Sequence, residues 1–176
     1  MTEDWVQLKD ENFYLDNNWH YYTIVNDGTI GDSAEIVDTS ALYIDGVLIT
    51  KSMGKGKSYP KDEKFFIATM WDSSGEFFSG LIDGVTIWDR KLSADEISSL
   101  YNLGEGMDPT FDTLNYAGSE SLIGFWPFNE GADSSATDYS GSGFDGQIIG
   151  ASWVNVDSKL PPQKDVDVLA ETGDQK

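Results

Sequence analysis

Carboxylates are the side chains through which this chain could do chemistry, since 31 of its 176 residues are Asp or Glu. Asp83 alternates with Val85 and Ile87 in a strand-like segment, so its carboxylate is expected to face a core. A carboxylate placed there needs hydrogen bonds or a cation to offset its desolvation. Asp138 and Asp145, in a loop rich in serine and glycine, offer further oxygen ligands for a divalent cation. The three aspartates are therefore candidate metal ligands, and hydrogen bonds from backbone N–H groups are the alternative for Asp83.

Catalysis lacks the residue pattern that it needs. Glycoside hydrolysis uses two carboxylates at a fixed separation, and no Glu-x-Asp that could place them along one strand occurs in the chain. Solvation and the dipole of a helix explain the neighbouring pairs Asp62-Glu63 and Asp95-Glu96. His20 is the only histidine of a chain without cysteine, so it lacks partners for a zinc site or a Ser-His-Asp relay. We therefore predict no catalytic residues.

Aromatic side chains beside polar ones are the candidates for ligand binding. Exposed aromatic faces at loop tips are suited to carbohydrate rings. Two tryptophans stand beside polar residues in this way: Trp71, which is followed by Asp72, and Trp88. Packing in the core is the alternative for each tryptophan. The sequence thus predicts ligand-binding residues at Trp71, Asp72 and Trp88.

The elements that position these residues are organised around residues 75–102. Residues 81–88 alternate as a packed strand does. Ser93 stands where an N-cap is expected, with Glu96 as its capping-box partner three residues later. An apolar stripe at helical spacing follows, formed by Ile97, Leu100 and Tyr101. The pattern predicts a strand and then one short helix near residues 93–102.

Most of the remaining chain favours strands and turns. Asp45-Gly46, between two apolar runs, predicts a hairpin because Asp-Gly accepts the positive φ angles of a two-residue turn. Residues 122–128 are apolar on both faces, which is typical of an interior strand. Residues 104–121 are rich in Gly, Asp, Pro and Ser without periodicity, and indicate a linker or long loop. Further strands are expected within residues 5–27, 64–71, 147–150 and 151–156.

Several of these motifs together resemble the laminin-G-like, concanavalin A-like jelly rolls. That family closes with a Phe-x-Gly-x-Ile-Asp strand and a Leu-Ser-x-x-Glu-Ile helix that ends in Leu-Tyr. The matching residues here are Phe78, Gly80, Ile82, Asp83, Leu92, Ser93, Glu96, Ile97, Leu100 and Tyr101. Trp19-His20 and the later Leu-Tyr-Ile-Asp-Gly of residues 42–46 are similar to its central hairpin. Residues 122–150 resemble its opening strand and Asp-x-Ser-Gly loop.

The resemblance implies an all-β fold, a two-sheet antiparallel jelly-roll sandwich with one short helix. The divisions that follow are a closing half in residues 1–103, a linker in 104–121, opening-half-like strands in 122–160 and a polar tail in 161–176. Family members often carry calcium, so calcium is the cation expected at the three aspartates. We expect a non-catalytic recognition or structural module that binds a glycan or a surface protein.

The order of the motifs leaves the assembly open, because the closing half precedes the opening half. The halves could close on each other as a circular permutant, or the chain could be cut from a tandem array. Alternatively, each opening half could complete the next identical subunit by strand exchange and build a head-to-tail filament. A permuted or array module is the first interpretation, and the filament is the alternative.

Composition excludes some partners. The net charge of −20 repels phosphates and anionic lipids, so we expect no nucleic acid partner. There is no cysteine and hence no disulfide. No segment approaches the roughly 20 apolar residues of a membrane span, so no membrane insertion is expected. Together with the family resemblance, this predicts an extracellular, cell-surface or virion-surface location.

Overall fold

The computed structural model describes residues 16–26, 37–55, 64–69, 77–113 and 115–154. Within these ranges the regular elements are seven strands and one α-helix. In chain order they are β1 (Tyr22–Asn26), β2 (Val37–Ile44), β3 (Val47–Lys55), β4 (Val85–Trp88), α1 (Ala94–Tyr101), β5 (Leu122–Trp126), β6 (Ser135–Ala136) and β7 (Gly146–Gln147). Short 3-10 helices lie at Asn102–Gly104 and Ser119–Ser121.

β1, β2 and β3 form an antiparallel sheet with β2 in the middle. Asp45 and Gly46 join β2 to β3 with φ angles of 53° and 76°, as a two-residue hairpin turn requires. A Cβ at position 46 would lie 3.2 Å from Cδ1 of Tyr101. Glycine therefore serves both the turn and the close approach of α1. The hairpin predicted from Asp-Gly is confirmed.

α1 begins after an N-cap at Ser93, as predicted. The backbone N–H of Glu96 donates to Ser93 Oγ at 3.2 Å, and the backbone N–H of Ser93 donates to Glu96 Oε2 at 2.8 Å. Two N–H groups at the helix start are thus satisfied reciprocally. The helix ends before Asn102, which adopts a left-handed conformation with φ 46°. These bounds agree with the helix predicted near residues 93–102.

The apolar core of the described structure lies between α1 and the three-stranded sheet. Its buried members are Val25, Ala41, Tyr43, Leu92, Ile97, Leu100 and Tyr116, with Tyr21, Trp88 and Met107 packed against them. Val25 lies opposite Ala41 across β1 and β2. The apolar stripe of α1 is the part of the helix that is buried, since Ile97 and Leu100 are 0% and 2% exposed. The helix therefore covers one face of the sheet.

β4 pairs with β5 in a second antiparallel sheet. Val85 lies opposite Trp126, and Ile87 lies opposite Gly124. A Cβ at position 124 would come within 2.5 Å of the Trp126 ring, so glycine is needed for the indole to lie over the strand. Through this pairing, a strand that precedes α1 is bonded to one that follows it in the same chain.

The strand predicted over residues 81–88 is shorter in the structure. β4 begins at Val85, and residues 81–84 are exposed and form no strand. Gly84 has a φ of 57°, which interrupts the extended backbone. The prediction that Asp83 faces the core is therefore wrong, because the strand begins only at Val85, after this residue. Residues 64–69 also form no strand, and Ala68, with a φ of 67°, breaks the extended conformation there.

The described residues of the segment 104–121 are largely irregular and pack on the core. Tyr116 is 1% exposed, and its hydroxyl accepts a hydrogen bond from Trp88 Nε1 at 2.9 Å. The same hydroxyl donates to the carbonyl oxygen of Pro109 at 2.9 Å. Of the two predicted possibilities, a linker or a long loop, the structure thus has a packed long loop that leads to β5.

β6 and β7 form a third antiparallel pair. The described sheets are all antiparallel and accompany one short helix, which agrees with the predicted all-β class. The complete two-sheet jelly roll stays a prediction. In the described part of the chain, no helix is long and apolar enough to cross a membrane. The predicted polar tail, residues 161–176, lies outside the described residues.

Candidate functional site

The predicted ligand-binding residues differ in what the structure shows of them. Trp71 and Asp72 lie outside the described residues. Trp88 is half-buried at the end of β4 and packs against the core cluster. Its indole N–H donates to the hydroxyl of Tyr116 at 2.9 Å. Trp88 thus packs against the core, and its part in ligand binding stays a prediction.

Asp138 is a buried carboxylate, 8% exposed, at the start of residues 138–145, here termed the Asp138 loop. Its Oδ1 accepts hydrogen bonds from the backbone N–H groups of Phe125 and Ser140, at 3.0 and 2.9 Å. Its Oδ2 accepts from the backbone N–H of Phe144 at 2.9 Å and from the Ser140 hydroxyl at 3.0 Å. Because a carboxylate offers about four lone-pair sites, these four donors saturate Asp138.

Opposing effects set the pKa of Asp138. Burial alone would raise this pKa, but the hydrogen bonds from Phe125, Phe144 and Ser140 favour the anion and bring the pKa down to about 2. The carboxylate is therefore ionised at neutral pH. Its charge is held by the protein's own N–H and O–H groups.

Further hydrogen bonds fasten the Asp138 loop to β5. The backbone N–H of Tyr139 donates to the carbonyl oxygen of Phe125 at 2.7 Å. Trp126 Nε1 donates to the carbonyl oxygen of Phe144 at 2.9 Å. The side chains of Tyr139 and Phe144 are nevertheless 55% and 62% exposed. An anchored loop thus presents two aromatic rings to solvent, in a part of the chain where the sequence analysis predicted only metal ligands.

The predicted metal ligands do not assemble into a cluster. Asp145 accepts a hydrogen bond from the backbone N–H of Asp138 at 2.9 Å, while Asp83 is exposed ahead of β4. Among the described residues, no group of three or more His, Cys, Asp or Glu side chains is placed to hold a metal ion. Since Asp138 is also saturated, the three aspartates do not fit a shared calcium site, and calcium binding stays a prediction.

Glu130 is a carboxylate that the sequence analysis did not single out. Its Oε1 accepts a hydrogen bond from the backbone N–H of Thr137 at 2.7 Å. Its Oε2 is buried and has no hydrogen-bond partner within the described part of the chain. An unpaired buried oxygen costs free energy, so this atom is suited to accept a hydrogen bond from a water molecule or to contact a cation. Glu130 follows β5 in irregular backbone, where no periodic pattern marks it.

Glu96 is a second buried carboxylate with a structural role. Both of its oxygens accept hydrogen bonds from the guanidinium of Arg90, one of them from Nη1 at 3.0 Å. Backbone N–H groups of Ser93 and Ala117 donate to it as well. The contact with Arg90 is the main reason that the pKa of Glu96 falls to about 2. Glu96 therefore ties the start of α1 to the end of β4 and to the segment before β5.

Residues 2–98 match the model of the concanavalin A-like lectin/glucanases superfamily, and this range is more than half of the chain. The chain belongs to this superfamily. The resemblance predicted from the motifs is thereby confirmed. No curated protein and no solved structure matches the chain.

The superfamily match ends at Ser98, inside α1. β5 and the Asp138 loop lie beyond it. The likeness of residues 122–150 to the opening strand of the superfamily therefore stays a prediction. The structure adds that β5, the strand in question, pairs directly with β4 from the matched range.

The two buried carboxylates of this superfamily member, Glu96 and Asp138, do not have the protonation state of a glucanase acid. A glucanase needs a carboxylic acid with a raised pKa and a second carboxylate facing the substrate. Glu96 and Asp138 have lowered pKa values, each about 2, and both are occupied by hydrogen bonds within the fold. At neutral pH neither carries the proton that a leaving group would need. Glu96 and Asp138 therefore stabilise the fold through these hydrogen bonds.

Proposed function

We propose that this superfamily member is a non-catalytic recognition module that binds a glycan or a protein at a cell surface or virion surface, with calcium as a further proposed support of its fold. The Asp138 loop carries the proposal. All four hydrogen bonds that the buried carboxylate of Asp138 accepts anchor the loop. The loop exposes Tyr139 and Phe144. A loop whose backbone is already held in place binds a ligand at a smaller cost in conformational entropy than a mobile one.

The charge of the chain narrows the ligand class. With a net charge of −20, the protein repels sulfated, phosphorylated or otherwise anionic ligands. A neutral sugar has an apolar ring face that fits an aromatic side chain, together with hydroxyl groups for polar neighbours. A neutral glycan is therefore the ligand that we test first, and a neutral or cationic protein surface is second.

Substitution of the exposed rings tests the proposed binding surface. Tyr139→Ala and Phe144→Ala should each weaken the affinity for a neutral glycan, identified on a glycan array, by roughly two- to twelvefold. The expected size follows from about 0.5–1.5 kcal/mol for an aromatic contact, with 1.4 kcal/mol equal to a factor of ten in affinity. Isothermal titration calorimetry measures this effect.

Phe111→Ala is the matched control for these variants. Phe111 is 52% exposed but lies in the packed segment before β5, so its loss should leave the affinity unchanged. An equal loss of affinity in the variant and its control would place the site elsewhere. A blank array would exclude the glycan and leave the protein ligand to be tested.

The alternative function is that of a subunit in a head-to-tail filament joined by strand exchange. In such a filament, β5 of one subunit would pair with β4 of the next. In the structure both strands belong to one chain. The segment between them packs on the same core through Tyr116. These contacts favour the closed module over the filament.

Light scattering distinguishes the closed module from the filament. We expect the purified chain to stay monomeric at high concentration, with the amides of Leu122–Trp126 protected from hydrogen exchange. Protection in a monomer requires β4 of the same chain as the partner. Growth of particle size with concentration would support strand exchange.

A further inference from the structure

His20 lies between two aspartates. Its Nδ1 is 2.7 Å from Oδ2 of Asp45, and its Nε2 is 3.1 Å from Oδ1 of Asp16. The imidazole side chain is 11% exposed, and the ring of Tyr22 meets it edge-on with 6.3 Å between centroids. The titratable groups that these contacts place against the imidazole are thus two carboxylates and a phenol.

This geometry fits the imidazolium form of the ring. An ionised carboxylate only accepts hydrogen bonds, whereas a neutral imidazole has one N–H and one lone pair. In a neutral ring, one nitrogen would therefore direct its lone pair at a carboxylate oxygen. Burial lowers the pKa of His20, but the hydrogen bonds to Asp45 and Asp16 outweigh burial, so the pKa is raised.

The two aspartates belong to different parts of the fold. Asp45 lies in the β2–β3 turn, where its Oδ1 accepts from the backbone N–H of Tyr21 and its own N–H donates to the Tyr21 carbonyl oxygen, both at 2.9 Å. Asp16 accepts from the backbone N–H of Asn18 at 2.9 Å and from its side-chain amide at 2.6 Å. His20 therefore joins the turn at residues 16–18 to the β2–β3 turn.

We propose that His20 is a pH-sensitive clamp, which closes when both ring nitrogens carry a proton and opens when one proton is lost to solvent. The contact that opens is the one with Asp16, because it is the longer of the two and Asp16 keeps its hydrogen bonds to Asn18. The Nδ1–H then remains on Asp45, which Tyr21 holds in place. Residues 16–18 lose their side-chain tie to the β2–β3 turn. This device goes beyond ligand binding and does not depend on the Asp138 loop.

The pH range of the clamp follows from the shifted groups. Because the folded pKa of His20 is raised, its stabilisation is present below the unfolded pKa of about 6.5 and is lost as the pH rises through the folded value. Hydrogen bonds from Asn18 and then His20 lower the pKa of Asp16 to about 2. The contribution of Asp16 is therefore present above its unfolded pKa of about 3.9 and is lost as the pH falls toward that lower value. The clamp is therefore closed below about pH 6.5 and opens as the pH rises through the raised pKa of His20.

Nitrogen-15 NMR of the intact chain tests the clamp without ambiguity, since the chain has one histidine. We expect both ring nitrogens to be protonated in mildly acidic solution, with a titration midpoint above the ordinary value of about 6.5. Asp16→Asn should lower that midpoint by roughly one unit, because it removes one of the two facing carboxylates. Glu105→Gln makes the same change in net charge at an exposed carboxylate and should leave the midpoint in place.

Two results of the NMR titration of His20 would contradict the proposed pH-sensitive clamp. One is a titration midpoint of the intact chain at or below about 6.5, and the other is a midpoint that Asp16→Asn does not move. Thermal melting gives an independent readout. Between about pH 6 and about pH 9 the intact chain should lose melting temperature, and His20→Gln should lose less, since its side chain does not titrate. Equal losses would contradict the clamp, and the Asp16→Asn titration still tests it if His20→Gln fails to fold.

Discussion

Asp138→Asn is expected to destabilise the fold by about 3–5 kcal/mol, because hydrogen bonds to a charged group contribute about 1.5–3 kcal/mol each. The amide nitrogen that replaces one oxygen is a donor, and it would face donors. At least two of the four hydrogen bonds that Asp138 accepts are then lost. The Asp138 loop should separate from β5. Urea unfolding, followed by tryptophan fluorescence, measures the change.

Asp133→Asn is the matched control for this substitution. Asp133 is an exposed carboxylate shortly before β6, and the change alters the net charge by the same amount. We expect its effect on the free energy of unfolding to stay within about 0.5 kcal/mol. Equal stabilities of the two variants would show that the hydrogen bonds to Asp138 contribute little.

The pH dependence of the same two proteins identifies the charged form as the stabilising one. The pKa of Asp138 is about 2 in the fold and about 3.9 in an unfolded chain. A group with a lowered folded pKa stabilises above its unfolded value and loses that effect as the pH falls through the folded value. The stability advantage of the intact chain over Asp138→Asn should therefore be full at neutral pH and shrink in acid. A constant advantage would mean that the lost contacts do not depend on the charge.

Melting in EDTA tests whether calcium supports the fold. If calcium supports the fold, EDTA should lower the melting temperature and added calcium should restore it. The same response in Asp138→Asn would place the cation away from Asp138, as the saturated oxygens of that side chain require. If neither reagent changes the melting temperature, calcium does not support the fold.

Local signals in the sequence predicted local structure well. Asp45-Gly46 selects its turn through the φ angles of two adjacent residues, and the hairpin is present. Ser93 and Glu96 satisfy each other's backbone N–H groups within one helical turn, and the capping box is present. These features depend on residues no more than three positions apart, so a short stretch of sequence is enough to predict them.

Contacts between distant residues escaped the sequence analysis. Tyr116 stands in a polar segment without periodicity, yet it is buried through Trp88, which lies 28 positions earlier. Asp138 was predicted to be a cation ligand. Its actual hydrogen-bond donors include the backbone N–H of Phe125, which lies 13 positions earlier and could not be paired with it from the sequence. Composition and periodicity do not record which backbone N–H group meets which carboxylate. The sequence could therefore locate the loop that contains Asp138, but it could not predict that the carboxylate of Asp138 is saturated by hydrogen bonds.

Leu100→Ala should destabilise the fold by about 2–5 kcal/mol, the usual cost of truncating a buried leucine. Leu100 is 2% exposed and belongs to the cluster that joins α1 to the three-stranded sheet. The substitution removes three carbon atoms and leaves a cavity where surrounding side chains cannot collapse fully. The midpoint of urea unfolding should fall while the slope stays constant, because the surface exposed on unfolding barely changes.

Leu103→Ala separates this packing effect from the general loss of a leucine. Leu103 lies three positions later and is 75% exposed, so its truncation should change the free energy of unfolding by less than about 0.5 kcal/mol. If Leu100→Ala were as mild as Leu103→Ala, α1 would not be packed on the sheet.

Because Glu96 on the same helix also contacts the segment that leads to β5, displacement of α1 should loosen the β4–β5 pairing as well. Faster amide exchange in Leu122–Trp126 of Leu100→Ala, but not of Leu103→Ala, would show that the helix supports the closure of the two halves of the chain.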